Sequence, residues 1–426
     1  MVIESEKKCA SRGWIAWFVV AAFFFYQCIV RAAPGVMEDE LTSEFAVSTA
    51  VFGAAVGALY YVYSPMQLFV GVLFNRFGGK KVLVPAVACV AVGCLLSSIP
   101  SKSIAYFAIG RGLTGLGASF AFVGTLHVAT MYFDIEKLSI LSGLTLTIGL
   151  IGTIVGQAPV SALVSSIGWR ATFLWMAGIG IVILSLLFIC LPKDSAAETN
   201  GEIGGNNCLS MKEVLKGLVR VFRNKKTWIV GIIGTGTYAP VVVFGELWGI
   251  PYLKSSLGVD EVKAAYVASM MLLGWMVGGP LTGWIAGKFK CRAELLTYGG
   301  MLSAILFLVI LLSGIKSPSF VGLLLFLIGV LSSPQSLCFV AALEVNEKSA
   351  SGSAMAVTNM IIMILSGMLQ PVVGFLIGGK PEGGSMEVIP YDVFRNALLV
   401  MPLFVFISAL LSFFFFRKEM SARARM

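Results

Sequence analysis

Ionisable and amide side chains inside long apolar runs are the residues of this sequence with chemistry to offer. Arg31 lies about 17 residues, roughly 26 Å, along the first such run, and Gln27 precedes it by one turn on the same face. A guanidinium there suits a carboxylate or phosphate, because its planar fork donates to two oxygens at once; the other reading is that Arg31 snorkels to the membrane surface. Tyr60, Tyr63 and Gln67, spaced by three and four residues, share a face of the next helix and either line a cavity or pack as aromatic filling. Arg111 is about eight residues into its run, where snorkelling is strained, and has either a cavity-facing, proton-coupling role or a structural hydrogen-bonding one. Glu246 is the carboxylate well inside the seventh run, a candidate proton carrier or else a gate residue tied to backbone near Pro251. His127, the only histidine, offers packing, an inter-helix hydrogen bond or a protonation-linked role. Gln157, Gln335 and Asn359 either orient a substrate or hold helices together.

The elements that position these residues follow from composition. The chain is 58% hydrophobic and 12% charged, with a mean hydropathy of +0.90, outside the range of soluble domains. Apolar runs of membrane-crossing length recur throughout and predict helices near 14–36, 47–72, 82–99, 103–132, 138–166, 171–191, 227–253, 263–287, 293–314, 319–343, 350–378 and 393–416. Of the 31 Lys and Arg, 22 fall at the termini and even-numbered loops, 7 fall at the opposite loops and helix ends, and Arg31 and Arg111 lie inside helices. That bias predicts both termini in the cytoplasm. The net charge of +9 is therefore read as membrane topology, with no nucleic-acid partner.

Lys7, Lys8 and Arg12 before an apolar run resemble a signal peptide, but the run is too long and Pro34 follows the small residues Ala32-Ala33, so a membrane helix is expected. The eight cysteines stand singly, without a C-x-x-C, and are read as reduced packing residues; no metal site and no cofactor is expected. Residues 192–226 form the long polar interruption: a flexible loop, then a basic amphipathic helix over Ser210 to Arg223 along the inner membrane surface. This interruption separates two halves, 1–191 and 227–426, that echo each other. An offset of 212 residues relates Gly71-Val72-Leu73-Phe74-Asn75-Arg76-Phe77 to Gly283-Trp284-Ile285-Ala286-Gly287-Lys288-Phe289, Tyr26 to Tyr238, and Pro159 to Pro371. Tyr238 joins the candidate substrate residues. Two parallel six-helix halves are the repeat of a carrier whose site lies near the midplane.

Gly71, Leu73, Asn75, Arg76, Gly78, Lys80 and Lys81 form a short basic turn that resembles the signature gating loop of the major facilitator superfamily, with Asn75 where that loop has an aspartate. Asparagine can hydrogen-bond but cannot make the aspartate's ion pair. Arg111-Gly112-Leu113-Thr114-Gly115, Gly152-Thr153-Ile154-Val155-Gly156-Gln157-Ala158-Pro159 and Gly168-Trp169-Arg170 also resemble family motifs. The resemblance implies an all-α membrane protein of twelve transmembrane helices in two pseudo-symmetric six-helix bundles, the major facilitator fold. It implies a monomeric multi-pass carrier in a bacterial plasma membrane. Arg31-Ala32-Ala33-Pro34-Gly35-Val36-Met37, Tyr60 to Gln67 and Gly245 to Pro251 resemble a narrower group that includes phagosomal amino-acid transporters. Its implied cargo is a small carboxylate-bearing solute: an amino acid or short peptide first, then organic and sugar acids. Protons are the expected coupling ion, with facilitated diffusion as the alternative. A single histidine and the absence of a G-K-S/T loop argue against an enzyme or ATP-driven pump; a solute sensor and a passive channel are the rivals from other classes.

Overall fold

A helix satisfies its backbone hydrogen bonds within its own segment, which is what a chain this apolar requires in the absence of water. The computed structural model describes residues 2–133, 135–191, 211–347, 350–378 and 390–423, and among these there are helices and no strands. The expected flexible loop at 192–210 lies outside the described residues, as do 379–389 and the side chain of Asn75. Twelve of the described helices are long and apolar enough to cross a membrane. In chain order they are α1 (Arg12–Val36), α2 (Thr49–Phe74), α3 (Gly79–Ser97), α4 (Ala105–Tyr132), α5 (Ile140–Ile167) and α6 (Trp169–Cys190). The others are α7 (Lys225–Leu257), α8 (Glu261–Phe289), α9 (Arg292–Leu312), α10 (Pro318–Glu344), α11 (Ser351–Ile377) and α12 (Tyr391–Arg417). Each coincides with a span read from hydropathy, and large apolar side chains such as Ile189 (76% exposed) and Phe375 (74%) face outward, as lipid contact demands.

The helix boundaries hold three corrections. The basic turn expected over 73–81 contracts to one residue: helix continues to Phe77, resumes at Gly79, and Gly78 makes the reversal at φ 84°, a conformation open to glycine. The first span, expected to run unbroken to 36, tightens into a 3-10 turn over Ala33–Val36 and is followed by a short helix, Glu38–Phe45. The seventh, expected as one regular helix, widens to a π-helix over Pro240–Trp248.

By contacts the chain forms two compact units. One takes in Met1–Ala32, Ala58–Gly156 and Leu163–Val214; the other takes in Ala33–Gly57, Gln157–Ala162 and Leu215–Met426. The second unit thus contains α7 to α12 together with the end of α1, the start of α2 and an internal stretch of α5. Within the first unit the end where α1 begins is called proximal below and the opposite end distal; within the second unit the same words are used relative to where α7 begins.

Glycines let helices touch backbone to backbone. In the first unit a methyl group on Gly115 of α4 would stand 2.2 Å from the Leu59 carbonyl oxygen of α2. The same packing recurs in the second unit, where a methyl on Gly329 of α10 would stand 2.0 Å from the carbonyl oxygen of Met271 on α8, 212 residues beyond Leu59. Gly274 of α8 meets the Phe326 carbonyl in the same way, at 1.9 Å. Gly283, farther along α8, has nothing within 4 Å. Gly329→Ala and Gly274→Ala are each expected to lower stability by about 1–3 kcal/mol through overpacking, while Gly283→Ala stays within experimental error; thermal unfolding of purified protein in detergent measures the difference.

Candidate substrate and gating sites

In the first unit the distal end of α1 carries the Arg31 group. Pro34 has no N–H, so the Val30 carbonyl one turn earlier loses its intrahelical donor. Arg111 of α4, buried to 1% exposure, replaces it: Nη1 donates to Val30 O at 2.8 Å and Nη2 to Arg31 O at 3.0 Å. A cation at the negative end of a helix dipole adds to the fit. These two hydrogen bonds fix the backbone of Arg31. The Arg31 guanidinium, half-buried, donates through Nη2 to Thr153 Oγ1 of α5 at 3.4 Å. The groups around the half-buried Tyr63 hydroxyl are Arg31, Cys28 and Gln67. Gln67 Nε2 donates to Ser119 O at 3.3 Å, and Tyr60 is fully buried. Gln27 is buried with Nε2 on Cys28 Sγ at 2.9 Å, and its Oε1 has no hydrogen-bond partner. Of the sequence candidates on α1 and α2, Arg31, Tyr63 and Gln67 therefore come together, and Thr153 joins them.

In the second unit the π segment of α7 is held from two sides. Gln157 of α5, fully buried, donates Nε2 to Gly245 O while its Oε1 accepts from Ser269 Oγ of α8 at 2.7 Å. Gln370 of α11 donates Nε2 to Val242 O at 3.1 Å, and Trp248 returns its indole N–H to Gln370 O at 2.9 Å. A widened turn exposes carbonyls that regular helix would keep to itself, and π segments concentrate at functional positions. Glu246, buried, lies within this segment, and Gly35 presses on its backbone: a methyl there would stand 2.1 Å from Glu246 O. Sequence reasoning missed Gln370 and Ser269. The signal for Gln370 was available, since it adjoins Pro371, the repeat partner of Pro159, as Gln157 nearly adjoins Pro159.

Several contacts tie the distal end of the second unit together. Thr49 Oγ1 donates to Gly374 O (2.6 Å) and Gly378 O (2.9 Å), and Phe52 meets Trp248 edge-on at 6.1 Å. Lys254 of α7 bridges Asp39 of the 38–45 helix (2.6 Å) and Glu261 of α8 (3.0 Å). Glu40 stands beside them with Oε2 buried and without a hydrogen-bond partner. Burial first, then the Glu261 carboxylate and Asp39, raise the Glu40 carboxyl, against opposing pulls from a backbone hydrogen bond and, least, from Lys254.

The remaining candidates are dispersed. At the proximal end of the first unit, Lys80 donates to the carbonyls of Phe188 and Leu191 at the end of α6 and lies 4.7 Å from the Phe188 ring centroid. Arg76 is exposed with its guanidinium 5.4 Å from the Phe77 ring, Lys81 is exposed, and Gly71 has open space beside it. His127 is half-buried, its ring 4.9 Å from that of Phe74, and a methyl on Gly79 would meet it at 3.5 Å, so it packs against the signature turn. In the second unit Tyr238 packs on Trp275 at 5.6 Å, Gln335 is buried in the 3-10 turn Ser333–Ser336, and Asn359 is half-buried on α11. No cluster of metal-ligating side chains occurs among the described residues.

A family model described as Major Facilitator Superfamily matches residues 18–371. The probable sulfoacetate transporter SauU of Cupriavidus necator is 23% identical over 377 residues, covering 84% of this chain and 86% of its own. The probable galactarate/D-glucarate transporter GudP of Escherichia coli is 23% identical over 305 residues, covering 66% and 67%. The multidrug resistance protein MdtL of Escherichia coli is 27% identical over 258 residues, covering 59% and 60%. Among solved structures, a bacterial homologue of the human lysosomal transporter Spinster, crystallised inward-facing and unoccupied, superposes with a TM-score of 0.71 at 14% identity, covering 95% of this chain and 96% of that one. At that identity the likeness establishes the fold.

Two outcomes follow from this geometry. Arg111→Leu abandons two buried carbonyls at about 1–3 kcal/mol each, so its melting temperature in detergent should fall well below wild type, with Arg111→Lys, a single ammonium, between the two. At Glu40 the raised carboxyl means that the proton stabilises the packed distal end. This contribution is complete below the ordinary carboxylate range and is lost as pH rises through the raised value. The side chain is partly exposed, so its worth is no more than about 1 kcal/mol. Melting temperature measured across that window should decline in wild type relative to Glu40→Gln; parallel curves would show that Glu40 does not titrate there.

Proposed function

Because this chain belongs to the major facilitator superfamily and is a multi-pass membrane transporter, we propose that it carries a small organic anion across the plasma membrane by alternating access, with Arg31 as the anion-binding residue. The observation that carries this reading is the Arg31 group. A guanidinium inside an apolar layer, its backbone fixed by Arg111, is collected with Tyr63, Gln67 and Thr153, and the unpartnered Gln27 carbonyl lies one turn earlier on α1. Ionisable groups at membrane depth are costly and mark substrate or ion pathways. The fork binds a carboxylate or sulfonate through two oxygens, while the tyrosine hydroxyl and the amides can meet a hydroxyl or amine on the same solute.

The named cargoes of two relatives support an acid. SauU is named for sulfoacetate and GudP for galactarate and D-glucarate. Small organic and sugar acids therefore come first for this chain, with amino acids second. Proton coupling belongs to the same reading. Entry of a net negative charge against the membrane potential costs about 2.3 kcal/mol per charge per 100 mV, and co-transported protons cancel that cost. Glu246, buried within the π segment of α7, is the intramembrane carboxylate in a position to carry one. If uptake ignores an imposed pH gradient, the carrier works by facilitated diffusion and Glu246 serves the packing against Gly35.

The test is uptake into proteoliposomes from a panel of sulfoacetate, glucarate, short organic acids and amino acids, with and without a pH gradient. Arg31→Ala is expected to abolish saturable uptake and Arg31→Lys to restore little of it, because an ammonium lacks the fork; full uptake by Arg31→Ala with normal membrane insertion refutes the assignment. Glu246→Gln, which mimics the protonated acid, should lose accumulation yet keep exchange of labelled for unlabelled solute. Accumulation retained by this variant under a pH gradient removes Glu246 as the proton carrier.

A further inference from the structure

The helix Met211–Arg223 divides its surface into three sectors rather than two. At about 100° per residue, Gly217, Leu218 and Val221 lie on one side, and this side is covered by the second unit. Leu218 and Val221 are buried, and a methyl on Gly217 would meet Ser353 Oγ at 3.0 Å. Next around the wheel come Leu215 and Val219, exposed to 45% and 52%, with Phe222 half-buried beside them. Beyond these lie Lys216, Arg220 and Arg223, all exposed, of which Arg220 pairs with Glu347. Lys225 and Lys226, also exposed, follow at the corner where α7 begins.

The helix is fastened at that corner to the first turn of a membrane span. Asn224 caps α7 by accepting from Lys226 N at 3.0 Å, and its amide donates to Val345 O (2.7 Å) and Asn346 Oδ1 (3.0 Å). Trp228, in the first turn of α7 and 39% exposed, donates its indole N–H to Phe222 O at 2.8 Å. Since α7 enters the bilayer here, the helix is held at the depth of the membrane surface, and an indole at that level is the usual interfacial anchor. A side that faces the protein, an apolar strip, then a basic row is the order expected of a helix lying in the headgroup layer, with acyl chains under the strip and phosphates along the row.

We propose that this helix is a binding surface for anionic phospholipid, with Leu215, Val219 and Phe222 against acyl chains and Lys216, Arg223 and Lys225 holding the headgroups. Charge complementarity selects the lipid: among the described side chains the uncommitted sector is apolar and basic, and Glu347 at its edge is paired with Arg220. The surface is separate from the Arg31 group, so it can fail while the transport reading stands.

The experiment places a photo-crosslinking residue, Val219→p-benzoylphenylalanine, in the full-length protein and reconstitutes it in nanodiscs of phosphatidylcholine containing about one third phosphatidylglycerol. Mass spectrometry identifies the lipid adducts. The ratio of phosphatidylglycerol to phosphatidylcholine adducts should exceed the bulk ratio of the disc by about fivefold for each basic side chain that holds a headgroup. The enrichment should fall in Lys216→Gln/Arg223→Gln/Lys225→Gln, with lipid adducts persisting, and should fall in the unaltered sequence when ionic strength is raised. The salt series stands alone if the triple variant is poorly made. Absence of lipid adducts, with crosslinks to protein or none, overturns the apolar contact. Adducts in the bulk ratio at low salt overturn the preference for anionic lipid.

Discussion

A backbone carbonyl released inside a hydrocarbon layer has no water to turn to, so some other donor must reach it or the segment cannot remain there. Pro34 releases one at Val30, and Arg111 crosses from α4 to take it together with the carbonyl of Arg31. The π segment of α7 presents others, taken by Gln157 and Gln370. Much of the architecture depends on these repairs. They allow α1 and α7, the first helices of the two halves, to depart from regular helix at depth, where a plain apolar segment would have to stay unbroken.

The repairs also connect stability to the candidate chemistry. Arg111 holds the main chain of the residue whose side chain is best suited to an anion, so Arg31 presents its guanidinium from a fixed base rather than a frayed helix end. Gln157 joins α5 to α7 and α8 through the two ends of one amide. Gln370 ties α11 to α7 through its amide nitrogen on Val242 O and its backbone carbonyl, which accepts from the Trp248 indole. An amide satisfied at both ends is rigid, yet its hydrogen bonds can be exchanged for others of similar strength.

Close backbone packing sets the second constraint. Gly115 on Leu59 and Gly329 on Met271 are similar contacts, one in each half, with carbonyl residues 212 apart and glycines 214 apart. Only a hydrogen fits at these points, so the helices approach to where carbonyl and Cα touch, and dispersion across the seam does what the hydrophobic effect cannot do between helices surrounded by lipid. Where the halves differ, the difference is chemical. Lys80 closes over the end of α6, whereas its repeat partner Arg292 pairs with Glu344 of α10.

The sequence by itself determined the twelve spans, their order and the repeat, because hydropathy over a helix length and one-residue register are one-dimensional quantities. It also marked Arg31, Gln27, Tyr63, Gln67 and Gln157 as polar groups that a membrane helix must account for, and it placed a basic amphipathic helix near 210–223. It could not say which of these met. Whether Arg111 served a cavity or a carbonyl depended on where the end of α1 came to rest, 80 residues away along the chain. The π segment could not be read because its widening is fixed by side chains donating from α5 and α11, and no local propensity records a partner so remote. The Asp39–Lys254–Glu261 bridge was equally hidden, since each residue alone reads as an ordinary loop or interface charge. Tertiary structure decided these matters for one physical reason: hydrogen bonds and ion pairs act over about 3 Å, and only the folded chain says which groups come that close.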